Sequence, residues 1–299
     1  MIRADNISHN YGDNKALDGF NLSVEQGEIY GLIGPDAAGK TTFIRLLTTL
    51  LDLQEGQLSV NNTTVNDIRQ IRAMIGYMPQ RFSLYPDLSV RENLSFYADI
   101  FAVPAGLRDK RLKELYRFSR LQPFADRPAG KLSGGMKQKL ALMCALIHEP
   151  PVLVLDEPTT GVDPLSREEF WQTLFDIRAK GHTILVSTPY MDEAEKCDHL
   201  TLIHKGRSIA NGTPASVIAG AGFGVLQTAW LRQTRVEECQ TIPGVLGLYP
   251  FGQHFHIHID TKQKSGVQKA LSGALGNGYS LKNITPELED VFIHKMAAT

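Results

Sequence analysis

The sequence predicts an α/β fold in which a parallel sheet carries a phosphate-binding loop, and three observations lead there. A largely apolar run at 28–33 passes directly into Gly34-Pro35-Asp36-Ala37-Ala38-Gly39-Lys40-Thr41-Thr42, which reads G-x-x-x-x-G-K-[ST]. A second apolar run, 152–155, ends in the carboxylate pair Asp156-Glu157, as expected of a buried strand emerging at its C-terminal edge. Between and after them, strand-like runs alternate with segments of helical period, the mark of a sheet covered on both faces.

The elements follow in order. Alternating polarity at 2–8 and 22–26 predicts antiparallel strands leading into the phosphate-loop strand. A helix at 43–51 closes near Asp52, and short strands follow at 57–60 and 75–78. From 86 to 147 the period becomes helical, with Val90, Leu94, Tyr97 and Phe101, then Leu112, Leu115 and Phe118, so this stretch is expected to be a helical subdomain. Strands resume at 152–155, 183–187 and 200–203, with a helix at 165–179. The cluster Ala219-Gly220-Ala221-Gly222-Phe223-Gly224 reads as a linker. It suggests a first domain at 1–220 and a small α+β domain at 221–299. In the latter, strands are expected at 225–231, 246–249, 255–260 and 280–284, and helices at 236–241, 265–275 and 287–296.

Bulk properties narrow the function. A chain of 299 residues has room for two domains, and its net charge of -1 supplies no general attraction to nucleic acid or acidic lipid. Cys144, Cys197 and Cys239 lie in no metal-ligand spacing and fit reduced thiols of a cytoplasmic protein, packed as filler. No leader pattern opens the sequence, and its longest apolar stretches, such as 140–147, fall short of the ~20 residues that span a bilayer. Any membrane role is therefore expected to depend on another chain.

The chemistry gathers at the loop. Small residues let backbone N–H groups wrap an anion, and the helix starting near Gly39 points its positive dipole end at the same place. Lys40 can reach terminal phosphates, Thr41 can ligate Mg2+, and Asp156 can hold the same ion directly or through water. Glu157 can polarise an attacking water, because a carboxylate accepts a proton where an amide only orients. Alone, an apolar run ending in Asp-Glu is also what a capped strand end looks like; with Lys40 it makes a coherent metal-assisted NTPase site. No Asn-Lys-x-Asp follows the loop, which disfavours a GTPase. His254, His256 and His258 tempt a metal reading, but they alternate in a predicted strand and so share one face of a hairpin, which disfavours a zinc site.

At Leu132-Ser133-Gly134-Gly135-Met136 the sequence resembles the signature of ATP-binding cassette (ABC) ATPases, and the resemblance covers most of the first ~215 residues. It implies a P-loop NTPase of ABC type, with an antiparallel β subdomain and a helical subdomain, that binds ATP and Mg2+. Tyr11 sits at that family's adenine-stacking aromatic. Gln80 matches the glutamine loop and so a metal contact, and Asp163 in Gly161-Val162-Asp163 matches the D-loop. Tyr11 also reads as a strand aromatic, and Gln80 as a solvated loop amide. In such ATPases cassettes pair head to tail, so Ser133, Gly134, Gly135 and Met136 would close over nucleotide on a partner's loop.

Three positions depart from the pattern. Met136 replaces the commoner glutamine, Ala37 replaces a glycine and so is expected to lose access to positive φ, and Pro189 replaces the switch histidine, with neither side-chain donor nor N–H. The site on this chain's own loop is therefore expected either to hydrolyse slowly or to use a different polar group. The run 77–94, and Pro286-Glu287-Leu288-Glu289-Asp290-Val291-Phe292 near the end, resemble drug exporters of the daunorubicin-resistance type. The loop and the run 131–140 resemble the first cassette of tandem-cassette bacterial multidrug exporters. The implied role is an ATPase subunit, peripheral at the inner face of the cell membrane, that drives separate membrane permease subunits, paired with a second cassette and binding no nucleic acid. A regulatory module that senses ATP without turnover, and a soluble cassette without a transport role, are the alternatives.

Overall fold

The computed structural model describes residues 1–276 and 278–297. It divides into two compact units, Met1–Asn211 and Gly212–Thr299. The first unit begins with β1 (Ile2–Tyr11), β2 (Asn14–Val24), β3 (Ile29–Ile33), α1 (Lys40–Leu47), β4 (Glu55–Val60), β5 (Thr63–Thr64), α2 (Ile68–Met74) and β6 (Ile75–Met78). It continues with α3 (Val90–Ile100), α4 (Ala105–Ser119), α5 (Gly134–Leu146), β7 (Val152–Asp156), α6 (Pro164–Ala179), β8 (Thr183–Thr188), α7 (Met191–Ala194), β9 (His199–His204) and β10 (Arg207–Gly212). The second unit holds α8 (Pro214–Ala219), β11 (Gly224–Ala229), α9 (Gln233–Gln240), β12 (Val245–Phe251), β13 (His254–Ile259), α10 (Lys264–Leu275), β14 (Lys282–Ile284) and α11 (Leu288–Ala297).

Two sheets organise the first unit, one of order β2-β1-β4-β5 and one of order β10-β9-β3-β8-β7-β6. In the larger sheet β3 runs parallel to both β8 and β9, and β7 parallel to both β6 and β8. The apolar run at 152–155 follows from burial on both faces. Leu153 and Leu155 pack with Leu94, Leu140, Phe170 and Leu174 of α3, α5 and α6. Val152 and Val154 pack with Phe43 and Leu46 of α1 and with Ile7 and Phe20 of the antiparallel sheet. Each such side chain contributes roughly 1.5–3 kcal/mol of burial.

The helical segment opens with a capping box: the Ser89 side chain accepts from Glu92 N (3.2 Å) and Glu92 Oε2 accepts from Ser89 N (2.8 Å). Its Val90, Leu94 and Leu115 enter the core, and Tyr97, Phe101, Leu112 and Phe118 pack half-buried against it. Helix α1 starts earlier and ends earlier than the apolar period suggests, spanning Lys40–Leu47. Among the described residues no helix is long and apolar enough to cross a membrane.

In the second unit an antiparallel sheet of order β12-β13-β11-β14 is covered on both faces. Leu226, Leu248 and Ile257 pack with Val236, Val267 and Leu271 from α9 and α10. On the opposite face, His256 Nδ1 and His258 Nε2 each lie 2.9 Å from Asp290 Oδ1 on α11, all three buried. His254 is exposed at the strand start. Among the described residues no group of three or more His, Cys, Asp or Glu is arranged to hold a metal ion. Cys144, Cys197 and Cys239 are buried free thiols.

Candidate functional site

The strand order β3-β8-β7 brings the phosphate loop after Ile33 and the carboxylates at the end of β7 to one edge of the sheet. Gly39 occupies φ +111°, and a Cβ there would stand 2.6 Å from the Ala16 carbonyl, so only glycine lets α1 begin where it does. Ala37 corrects an expectation: it keeps the left-handed conformation at φ +62° despite its Cβ. The surrounding loop holds it there, at a strain of about 1–2 kcal/mol.

Lys40 is buried, and its Nζ donates to the carbonyls of Gly34 (2.8 Å) and Pro35 (2.9 Å) while standing 3.0 Å from Glu157 Oε1. Glu157 is itself at φ +48°. Its backbone N–H donates to Ser187 O (3.1 Å) and Ser187 Oγ (3.0 Å), and its Oε2 accepts from Gln80 Nε2 (2.8 Å) and Thr160 Oγ1 (3.4 Å). Asp156 Oδ1 accepts from Ser187 Oγ (2.7 Å) and Thr41 Oγ1 (3.3 Å). Burial pushes the Asp156 carboxyl above the ordinary carboxylate range, opposed by those two hydrogen bonds. The adjacent Tyr77 phenol is pushed up to about 12, chiefly by burial and then by the Asp156 charge.

Tyr11, Ala37, Ala38, Gly39, Lys40, Thr41, Thr42 and Glu157 line one cleft of about 330 Å³. Asp36 is exposed on the loop and Pro35 half-buried. Tyr11 stands 42% exposed at the mouth, its ring edge-on to His9 at 4.9 Å, so it is free to take a stacked base. Asn14, Lys15, Ala16 and Lys205 share the cleft and were not expected from the sequence. Nor was Ser187, whose role depends on β7–β8 register; a polar residue at the end of an apolar strand is the only sequence signal for it.

The signature residues lie elsewhere, none of them lining this cleft. Ser133 caps α5 by accepting from Met136 N (3.4 Å), and Ser133 and Gly134 are exposed. Gly135 is required by packing, since a Cβ would meet Ser166 Cβ at 2.8 Å. Met136 packs half-buried against the helical core. Asp163 caps α6, accepting from Ser166 N (2.9 Å), and the Ser166 hydrogen bonds hold its carboxyl below the usual range. Pro189 is half-buried just past the end of β8.

A family model described as ABC transporter matches residues 17–160. Over 290 residues the chain is 41% identical to the Nod factor export ATP-binding protein I of Burkholderia pseudomallei (strain K96243), covering 96% of this chain and 94% of that protein. The chain belongs to the ATP-binding proteins of ABC transporters. It is also similar to the probable multidrug ABC transporter ATP-binding protein YbhF of Escherichia coli (strain K12), 44% identical over 215 residues, which cover 71% of this chain and 37% of YbhF. The chain therefore matches little more than a third of that relative's length. Among solved structures, an ATP-binding subunit of an ABC transporter superposes with TM-score 0.68 at 31% identity, covering 74% of this chain and 93% of the other. A dimeric ATP-binding cassette in a post-hydrolysis state, bound to ADP and Pi, superposes with TM-score 0.65 at 27% identity, covering 71% and 98%. The fold is thus that of an ABC-type P-loop ATPase, and the family binds ATP with Mg2+.

The residues present fit that ion. Thr41 Oγ1 and Asp156 Oδ1 are hard oxygen donors 3.3 Å apart, and a cation beside them would offset the burial that raises the Asp156 pKa. Gln80 spends Nε2 on Glu157, and its amide oxygen is a further hard donor on the same side chain.

Proposed function

We propose that this chain is the ATP-hydrolysing subunit of an exporter and energises transport through separate membrane permease subunits while peripheral to the cytoplasmic face of the membrane. The observation that carries the pairing part of this reading is the split between two anion sites: the loop cleft at Lys40, and the exposed N-terminus of α5 at Ser133, which does not line that cleft. A helix N-terminus left open to solvent suits an anion presented by a second cassette. The direction of transport is supported by the name of one relative, a Nod factor export ATP-binding protein.

In the proposed site Lys40 and the loop N–H groups hold the phosphates, with Tyr11 against the base. Thr41, Asp156 and Gln80 hold Mg2+, which supplies charge neutralisation on the phosphate oxygens. Glu157 takes the proton of the attacking water, once phosphate oxygens have replaced it beside Lys40. Ser133, Gly134, Gly135, Met136 and Asp163 serve the partner's nucleotide. A second reading, ATP sensing without turnover, is favoured by Pro189, which offers the terminal phosphate no hydrogen bond.

The test is fractionation of cells that express the full chain alone and with its permease. The reading predicts membrane retention only with the permease, released by detergent as one ATP-hydrolysing complex. Retention on protein-free liposomes, or no permease-dependent change, overturns it.

A further inference from the structure

We infer that Glu193 is a positioning residue for hydrolysis, a buried carboxylate that clamps the turn carrying Glu157 to the segment carrying Pro189, with Arg167 as its charged partner. The inference rests on the proposed reading of Lys40, Asp156 and Glu157 as the ATP site.

Glu193 is 1% exposed, on the short helix α7 that follows Pro189 and Tyr190. Its Oε1 accepts from Thr159 Oγ1 at 2.6 Å and from Arg167 Nε and NH2 at 3.2 and 3.1 Å. Thr159 lies two residues after Glu157, in a turn closed by Thr160 N to Glu157 O (3.3 Å) and Val162 N to Thr159 O (3.1 Å). Arg167 comes from α6, the helix that Asp163 caps, and its guanidinium lies 4.4 Å above the Tyr190 ring. One oxygen therefore joins three segments: the Glu157 turn, α6 and the chain after β8.

The joint matters because of what residue 189 lacks. A proline there cannot fasten its segment to a terminal phosphate, so the segment's position must come from contacts on its far side. Glu157, at positive φ, also needs neighbours that fix its turn. A buried carboxylate holding a hydroxyl and a guanidinium is directional and costly to break. Loosening it should misplace the Glu157 carboxylate and leave Lys40 and the loop amides, which bind ATP, in place.

The experiment measures kcat and equilibrium ATP affinity on the full chain with its partner cassette, for Glu193→Gln, Thr159→Val, Thr159→Ser, Arg167→Lys and the Glu193→Gln/Thr159→Val pair. The expected result is a fall in kcat of about tenfold or more in the first two, with ATP affinity within about twofold of the parent. Thr159→Ser, which keeps the hydroxyl, should restore the rate, Arg167→Lys should fall between, and the double variant should lose no more than the worse single. The inference is overturned if kcat per folded molecule is unchanged, if affinity and kcat fall together, or if the two losses multiply. Lys40→Ala separates the layers: should it leave turnover intact, the site reading itself fails, whereas abolished turnover beside an unaffected Glu193→Gln removes only the clamp.

Discussion

Lys40 Nζ stands 3.0 Å from Glu157 Oε1, both side chains buried, so the cation that is to bind phosphate is neutralised by the carboxylate that is to activate water. Two loop carbonyls complete its shell. Phosphate oxygens entering the cleft replace one anion with another. On the proposed reading the ammonium would stay paired throughout, and Glu157 would be freed when the phosphates arrive.

The proposed pairing of cassettes rests on the exposed α5 terminus. With ATP present and Glu157→Gln preventing turnover, the protein should accumulate as a dimer, with itself or with a partner cassette. Light scattering with and without ATP reads this directly; monomers at saturating ATP with the partner supplied would mean that Ser133 and Gly134 do not meet a second site.

On the proposed reading, Pro189 is expected to slow the loop site, because it offers the terminal phosphate no hydrogen bond. Loss of one preorganised donor typically costs about 10² to 10³ in rate while sparing binding. Pro189→His, assayed in a closed dimer whose other site is inactivated, should raise turnover about tenfold or more, roughly 1.4 kcal/mol. A parent site already fast and unmoved by the substitution would show that another group serves the terminal phosphate.

His148 links stability to acid. Burial pushes its pKa down from 6.5 to about 4, and its ring stacks on Phe101 at 3.8 Å. The unfolded chain binds that proton below pH 6.5 and the folded chain only near pH 4. Stability is therefore lost as pH falls through this window, by at most about 3 kcal/mol. His148→Phe keeps the stack and removes the titration. Urea unfolding from pH 7 to pH 4 should show a shallower decline for the variant, and parallel curves would exclude this origin.

Much of the fold is legible because its signals are long or doubly enforced. The run at 152–155 is apolar on both faces, and Gly39-Lys40-Thr41 carries a backbone requirement together with a charge. Helix α2, with seven residues, and β10, half-exposed at most positions, show too few periodic residues to stand out, and tertiary contacts define them. Ser187 was illegible for a different reason: its hydroxyl matters only because strand register sets it opposite Asp156. The left-handed Ala37 shows the surrounding loop outweighing the preference of one residue, and the Glu193 clamp joins groups far apart in sequence that no local pattern connects.

On the proposed reading, the loop around Lys40 is where this protein binds ATP. Equilibrium titration of a fluorescent ATP analogue into the parent and into Lys40→Ala, each in Mg2+, tests it most directly. Removing the buried Lys40 ammonium from the cleft should weaken binding by an order of magnitude or more, about 1.4 kcal/mol at the least. An affinity unchanged within about twofold, under half a kcal/mol, would contradict the assignment of this loop.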